Sequence, residues 1–242
     1  KHKLFGYMLL LVCLLVIFLI SALFLSGQFH STEKDTFDAL DMQMEVYEKD
    51  ISDHFDSIAA AGINLSRNLT ASIQSYLAMH KMSFSDLTDN REHITNLQEY
   101  SMEPLMQQLN QENCSGVYLI LDTTINSNLE NAASSRAGMY LHTNGYKSSY
   151  NPVVLLYGNA DIARENGIIP HRQWHLEFNT NMFPEYEDFK KSTGEPITKL
   201  YRYTDLFLIP GTESRIMLLC VPLIASNGEF YGICGFEISE SY

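Results

Sequence analysis

Cysteine is scarce in this chain and follows no pattern. Only four occur in 242 residues, with no CxxC pair, and Cys13 lies inside an apolar run, leaving Cys114, Cys220 and Cys234 beyond it. That odd number excludes a fully paired disulfide framework of the kind that holds small secreted domains together. It fits a bacterial surface protein better than a eukaryotic secreted scaffold. Basic residues are also few, 16 against 29 acidic, for a net charge of -13. Setting aside Lys1 and Lys3, which precede the apolar run, leaves 14 basic against 29 acidic residues, a balance of -15. Such a surface disfavours nucleic acid and anionic lipid as partners and favours solubility. Catalytic signatures are missing as well: there is no nucleophile elbow, P-loop, dinucleotide fingerprint or zinc motif. No enzyme, no metal and no cofactor is therefore expected.

The longest uncharged stretch runs from Leu4 to Leu25. At ~1.5 Å per residue a helix of this length covers ~33 Å, enough to cross a bilayer core of ~30 Å. Signal-peptide cores are shorter, roughly 7–15 residues, and end at a small-x-small cleavage site. A retained membrane anchor is the stronger reading. Lys1, His2 and Lys3 precede the run, while Glu33 and Asp35 follow it. The positive-inside rule then places the N-terminus in the cytoplasm and everything after Gln28 outside the cell membrane.

From Ser31 to Met79 there is no proline and one glycine, Gly62. Phe37, Leu40, Met44, Tyr47, Ile51, Phe55, Ile58, Leu65, Leu69, Ile73 and Leu77 recur mostly at spacings of three and four, which predicts a long helix with one apolar stripe. Two partners fit the stripe: the protein's own domain, or the same helix of a second copy in a parallel homodimer. Both hold if the half near the anchor pairs and the far half packs on a sheet. Asp89 with Glu92 reads as a capping box opening a second helix, which Pro104 should kink or split. Beyond Gly116 the texture changes. Val117–Leu121 and Met139–His142 read as a hairpin with a long loop; Val153–Tyr157 is ambiguous between strand and helix; Asn159–Asn166 reads as a short helix with an Asn N-cap and Gly167 as its left-handed stop. Trp174–Phe178 reads as extended and Pro184–Ser192 as a short helix or turn. Three strands finish the chain, Ile197–Leu208 turning at Pro210-Gly211, then Ile216–Leu223, and Phe230–Ile238 after Asn227-Gly228. A two-residue loop there pairs Cys220 with Gly235 and Val221 with Cys234, so the two thiols face opposite sides of the sheet. The expected architecture is α+β, with about five antiparallel strands against the long helix. The expected divisions are 1–27 for the flank and anchor, 28–112 for the helices and 113–242 for the sheet.

This order resembles the extracytoplasmic Cache family of bacterial receptors, specifically the membrane-distal, PAS-like module of double Cache domains. The resemblance rests on the anchor running into a stalk helix, on Gly116-Val117-Tyr118-Leu119-Ile120, on Arg172-Gln173-Trp174-His175, and on Val221-Pro222-Leu223 through Asn227-Gly228 to Gly232-Ile233-Cys234-Gly235-Phe236-Glu237-Ile238. It implies that a second module and a second span would follow Tyr242. It also implies an output module elsewhere: an AraC-type regulator, histidine kinase, diguanylate cyclase or chemoreceptor. In amino-acid-binding members an Arg-x-Trp-Tyr run with an earlier Tyr, and an Asp in the last strand, hold the ligand. Here Arg172 and Trp174 match, His175 stands where Tyr is expected, Gly167 replaces the earlier Tyr, and Glu237 replaces the Asp.

The candidate ligand residues are thus Arg172, Trp174, His175, Tyr201, Tyr203, Asp205 and Glu237. Arg172 can fork two hydrogen bonds onto a carboxylate, or serve as a surface ion pair. Trp174 is a ligand wall or a core aromatic. Tyr201, Tyr203 and Asp205 alternate along one strand face, as pocket lining or ordinary sheet texture. Glu237 sits in an apolar strand, where an unpaired charge is strongly disfavoured, so a partner such as Arg172 or a ligand amine is expected. Two functions follow: a sensor for a small organic ligand such as an amino acid or carboxylate, or a surface interaction scaffold. A closed pocket behind Arg172 and Trp174 favours the first; a filled core there favours the second.

Overall fold

The computed structural model describes residues 2–25, 28–112, 114–143, 152–183, 185–192, 194–208 and 215–240. The chain forms two compact units, Lys1–Phe55 and Asp56–Tyr242, with the boundary inside the long helix. The first unit holds α1 (His2–Leu25) and the start of α2 (Gln28–His80). Within α1, Phe5–Leu25 is long and apolar enough to cross a membrane. The early α2 stripe, Phe37, Leu40, Met44, Tyr47 and Ile51, is exposed.

In the second unit the far half of α2 changes role. Ile58, Leu65, Leu69, Ile73 and Leu77 are buried, each side chain contributing about 1.5–3 kcal/mol of apolar transfer. Gly62 explains how closely the helix lies: a Cβ there would stand 2.7 Å from Leu219 Cδ2 and 3.1 Å from Val221 Cγ2. After a 3-10 turn at Phe84–Leu87 comes α3 (Arg91–Gln111), which continues unbroken through Pro104. The expected split does not occur. Its N-cap is Asn90, whose side chain accepts from the His93 amide, and the capping box belongs instead to Ser83 and Asp86 of the 3-10 turn. Asp89 has φ +63 and its carboxylate accepts from the Ser127 amide and hydroxyl, both at 2.5 Å.

The remaining elements are β1 (Gly116–Leu121), β2 (Ser135–His142), β3 (Val154–Tyr157), α4 (Ala160–Glu165), β4 (Ile169–His175), β5 (Glu177–Asn179), α5 (Tyr186–Lys191), α6 (Ile197–Leu200), β6 (Arg202–Tyr203), β7 (Phe207–Leu208), β8 (Arg215–Ile224) and β9 (Phe230–Ser239). They form one nine-stranded sheet in the order β4-β3-β2-β1-β9-β8-β6, with β5 pairing β2 and β7 pairing β8. The fold is α+β, with a sheet consistent with the PAS-like arrangement. The expected five strands are exceeded because short edge segments extend the sheet on both sides. One of these additions is a parallel pair, β3 with β4, joined through α4 as parallel strands require a crossover. Asn159 caps α4 by accepting from the Asp161 amide, and Gly167 ends it at φ +73, as the sequence predicts. The expected strand from Ile197 to Leu208 is instead one helical turn, α6, followed by the two-residue strands β6 and β7. Pro196, with no amide hydrogen, stands at its N-cap. The turn expected at Pro210-Gly211 lies outside the described residues.

The final hairpin keeps the predicted register, Cys220 opposite Gly235 and Val221 opposite Cys234. Its turn differs. The Gly228 amide donates to the Ala225 carbonyl with Gly228 at φ +84, and a shift between Leu223 and Ile224 absorbs the extra residue. Alternation sorts the sheet into two faces. Val117, Leu119, Leu121, Leu219, Val221, Cys234 and Phe236 join the core beneath α2 and α3. Tyr118, Ile120, Tyr140, Leu218 and Cys220 join Phe178, Phe183, Tyr186 and Phe189 on the other.

Candidate functional site

The segment from β5 to α5 lies over the second face, where Phe178, Phe183, Tyr186 and Phe189 fill it. Tyr157 stacks on Phe178 with centroids 4.5 Å apart and planes 12° apart, and Phe183 lies against both Tyr118 and Phe178. Burial holds the Tyr118 and Tyr140 phenols well above their usual range and pushes the Cys220 thiol up to about 12.

The predicted site residues are dispersed over this scaffold. Arg172 is exposed on β4. Trp174 is half-buried, packed against the helix-side core, and its indole N–H donates to the Gly158 carbonyl at 2.8 Å. Tyr201 and Tyr203 pack edge to face, 6.2 Å between centroids, and join the core beneath α2 and α3. Burial raises the Tyr203 phenol, with Tyr201 and Asp56 adding to it. Asp205 is exposed. Between β4 and β9 stand β3, β2 and β1, so four strand spacings, about 19 Å, separate Arg172 from Glu237. The expected pairing of these two is not formed, because the added strands β3 and β4 carry Arg172 to the sheet edge.

Glu237 is fully buried and finds its partners inside the protein. Ser115 Oγ donates to Oε1 at 2.6 Å, Tyr140 OH donates to Oε2 at 2.5 Å, and His142 Nδ1 lies 2.9 Å from Oε2. These groups come from the start of β1 and from alternate residues of β2. Gly116 leaves them room, since a Cβ there would stand 2.7 Å from Glu237 Oε2. The role of His142 was missed in the sequence; its signal was a second ionisable residue at an inward position of a predicted strand.

Of the predicted residues, His175 lines a cavity. This rim pocket, about 270 Å3, is bordered by Ser134, Tyr157, His175, Glu177, Phe178 and Asn179 among others. The strand register brings His175 opposite Tyr157, and the two rings stack with centroids 5.7 Å apart. Glu177 gives the pocket its charge. Its Oε1 accepts from Thr124 Oγ1 at 3.0 Å and from the Ile125 amide at 2.6 Å; its Oε2 accepts from Ser135 Oγ at 2.5 Å and Thr124 Oγ1 at 3.2 Å. Three protein donors thus share a carboxylate that can accept about four bonds. These contacts fix the Glu177 carboxylate beside the flat floor formed by Tyr157 and Phe178. Glu177 lay unnoticed in the sequence, in a segment with no motif.

No family model matches the chain, and no curated protein matches it. Among solved structures the chain is similar to the sensory domain of the Campylobacter jejuni chemoreceptor Tlp3 (CcmL) with isoleucine bound. The similarity has 12% identity and a TM-score of 0.33, and covers 78% of this chain and 62% of that one. This chain therefore spans less than two thirds of that structure. At such a TM-score the likeness assigns neither fold nor ligand. What the site can do rests on its own residues: an apolar floor, a ring of hydroxyl and amide groups, an imidazole and a carboxylate.

Proposed function

We propose that this chain is the extracytoplasmic sensing part of a bacterial membrane receptor of Cache type, binding a small organic ligand in the rim pocket. The observation that carries the reading is that pocket: the Tyr157–Phe178 floor beside His175 and the Glu177 carboxylate. Among the described residues that line it, the one fixed charge is negative and none is Lys or Arg. The ligand is therefore a small amine, amino acids included, with an apolar body lying on the floor. The role is binding and not catalysis. The N-terminus lies in the cytoplasm and Phe5–Leu25 spans the membrane. Ligand preference for one arrangement of β4 and β5 would reach the span through the sheet and α2, and from there an output module. In this reading the stripe from Phe37 to Ile51 pairs two copies in parallel.

The reading is tested by thermal-shift screening of the detergent-solubilised chain against amines, amino acids, carboxylates, sugars and purines. Amines that carry no carboxylate should raise the midpoint, and Tyr157→Ala and His175→Ala should remove that shift. A second reading, an interaction scaffold without a small ligand, is favoured by one observation: the sheet face opposite α2 and α3 is filled with aromatic side chains. An intact fold with no hits would move the balance to it, and hits that leave both variants unaffected would place the ligand outside the rim pocket.

A further inference from the structure

On the helix side of the sheet, a second cavity of about 440 Å3 opens between α2, the β8–β9 turn and the segment leading into α6. Its size lies within the roughly 300–1,000 Å3 of small-molecule sites. The α2 wall is a single helical stripe, Arg67, Thr70, Ala71 and Gln74, at the spacing that places residues on one face. Glu195 contributes from the segment before α6.

Three polar features of this cavity are unanswered among the described residues. Thr70 is 7% exposed, yet its Oγ1 has no hydrogen-bond partner. A helical threonine commonly turns its hydroxyl back to the carbonyl four residues earlier; Thr70 does not. The Arg67 guanidinium and the Glu195 carboxylate each have no ion pair or hydrogen bond among the described residues. Gln74 Nε2 donates to Ser226 Oγ at 3.2 Å, which leaves its amide oxygen as an acceptor. The remaining lining includes Ile197 and Ile224, an apolar bed.

A cation beside a buried, unused hydroxyl, with an anion on a different wall, matches a molecule carrying both charges. We propose that this cavity is a second ligand site, for a small zwitterion. The ligand carboxylate takes the Arg67 fork and the Thr70 hydroxyl; its ammonium takes Glu195 and the Gln74 oxygen; its apolar body lies on Ile197 and Ile224. The site is independent of the rim pocket, on the opposite face of the sheet. Because one wall is α2 itself, occupancy ties that helix to the β8–β9 turn directly.

The test is calorimetric titration of the detergent-solubilised full chain with L-alanine, L-leucine and L-phenylalanine, each beside its matched carboxylic acid and its matched amine. At least one amino acid should bind, with both single-charge analogues tenfold weaker or more. Arg67→Gln and Glu195→Gln should each weaken binding at least tenfold. Thr70→Val should weaken it several-fold while leaving the thermal midpoint unchanged or raised, since it removes an unpartnered hydroxyl. His175→Ala, in the rim pocket, should leave this binding intact. The proposal is overturned if no amino acid binds the folded chain, if the analogues bind equally, or if the α2 variants bind as wild type. Binding lost in His175→Ala alone would assign the heat to the rim pocket and equally overturn it.

Discussion

Glu237→Gln removes the carboxylate from a fully buried polar cluster in the sheet. The carboxylate accepts from Ser115 Oγ, Tyr140 OH and His142 Nδ1, with Glu237 fully buried and the His142 side chain 2% exposed. An amide keeps one acceptor oxygen but turns the other position into a donor that faces a donor. A hydrogen bond to a charged group contributes about 1.5–3 kcal/mol, and a stranded buried donor costs about 1–3 kcal/mol more. The sum agrees with the ~3–5 kcal/mol typical for breaking a buried ion pair from one side. In a unit running from Asp56 to Tyr242, each kcal/mol moves the midpoint by ~2–4 °C, so a fall of about 6–20 °C is expected. Urea unfolding followed by Trp174 fluorescence and by circular dichroism measures it, with an unchanged m-value confirming the same native state. Pairing the variant with His142→Gln closes a double-mutant cycle, in which the second loss should be much smaller than the first. A loss under about 1 kcal/mol, or additive losses, would refute the claim that these groups support one another.

Further expectations concern the helix, the buried acids and the stalk. Gly62→Leu pushes into Leu219 and Val221 and should destabilise by about 1–3 kcal/mol by overpacking; a neutral effect in urea melts would deny that α2 lies on β8. Tyr118, Tyr140 and Cys220 hold their protons more tightly folded than unfolded. Their contribution is therefore complete below the unfolded value of 9.0 for the thiol. It is lost as pH climbs past the phenol value of 10.0 toward the raised native values. Urea midpoints should be level up to pH 8 and drop steadily above pH 9, and a flat profile to pH 11 would contradict this. The Cys220 thiol should resist thiol reagents at pH 8 until denaturant is added; stoichiometric labelling of the native chain would contradict its burial. Cysteine placed at Met44 should crosslink to itself in membranes and cysteine half a turn away should not, whereas equal crosslinking would count against the parallel pair.

Much of the scaffold was readable because the physics is local. The long helix follows from stripe spacing, and the α4 boundaries follow from an Asn N-cap and a left-handed Gly. The β8–β9 register follows from Asn227-Gly228 and the flanking apolar runs, even though the turn takes one residue more than expected. What escaped depends on pairing. β3 and β4 are short, and nothing in Val154–Tyr157 or Ile169–His175 says that they add to the edge in parallel. That addition carries Arg172 away from Glu237, so the site drawn from the resemblance does not assemble. Ile197–Leu200 has strand-like residues, but its place behind Pro196 makes it a helical turn. Glu237 was correctly read as needing a partner; its partners lie on strands whose inward faces only the register reveals. Glu177 and Thr70 had no signal at all, since burial and an unused bonding capacity are properties of the packed chain.

Trp174 is the only tryptophan and the direct neighbour of His175, so its emission reports on the rim pocket without added labels. The decisive measurement is a fluorescence titration of the full chain in lipid nanodiscs with small amines that carry apolar bodies. The account predicts a saturable change for at least one of them, weakened at least tenfold by His175→Ala and by Tyr157→Ala with both variants folded. No saturable change, or equal affinity in wild type and both variants, would contradict a ligand-sensing pocket at this rim.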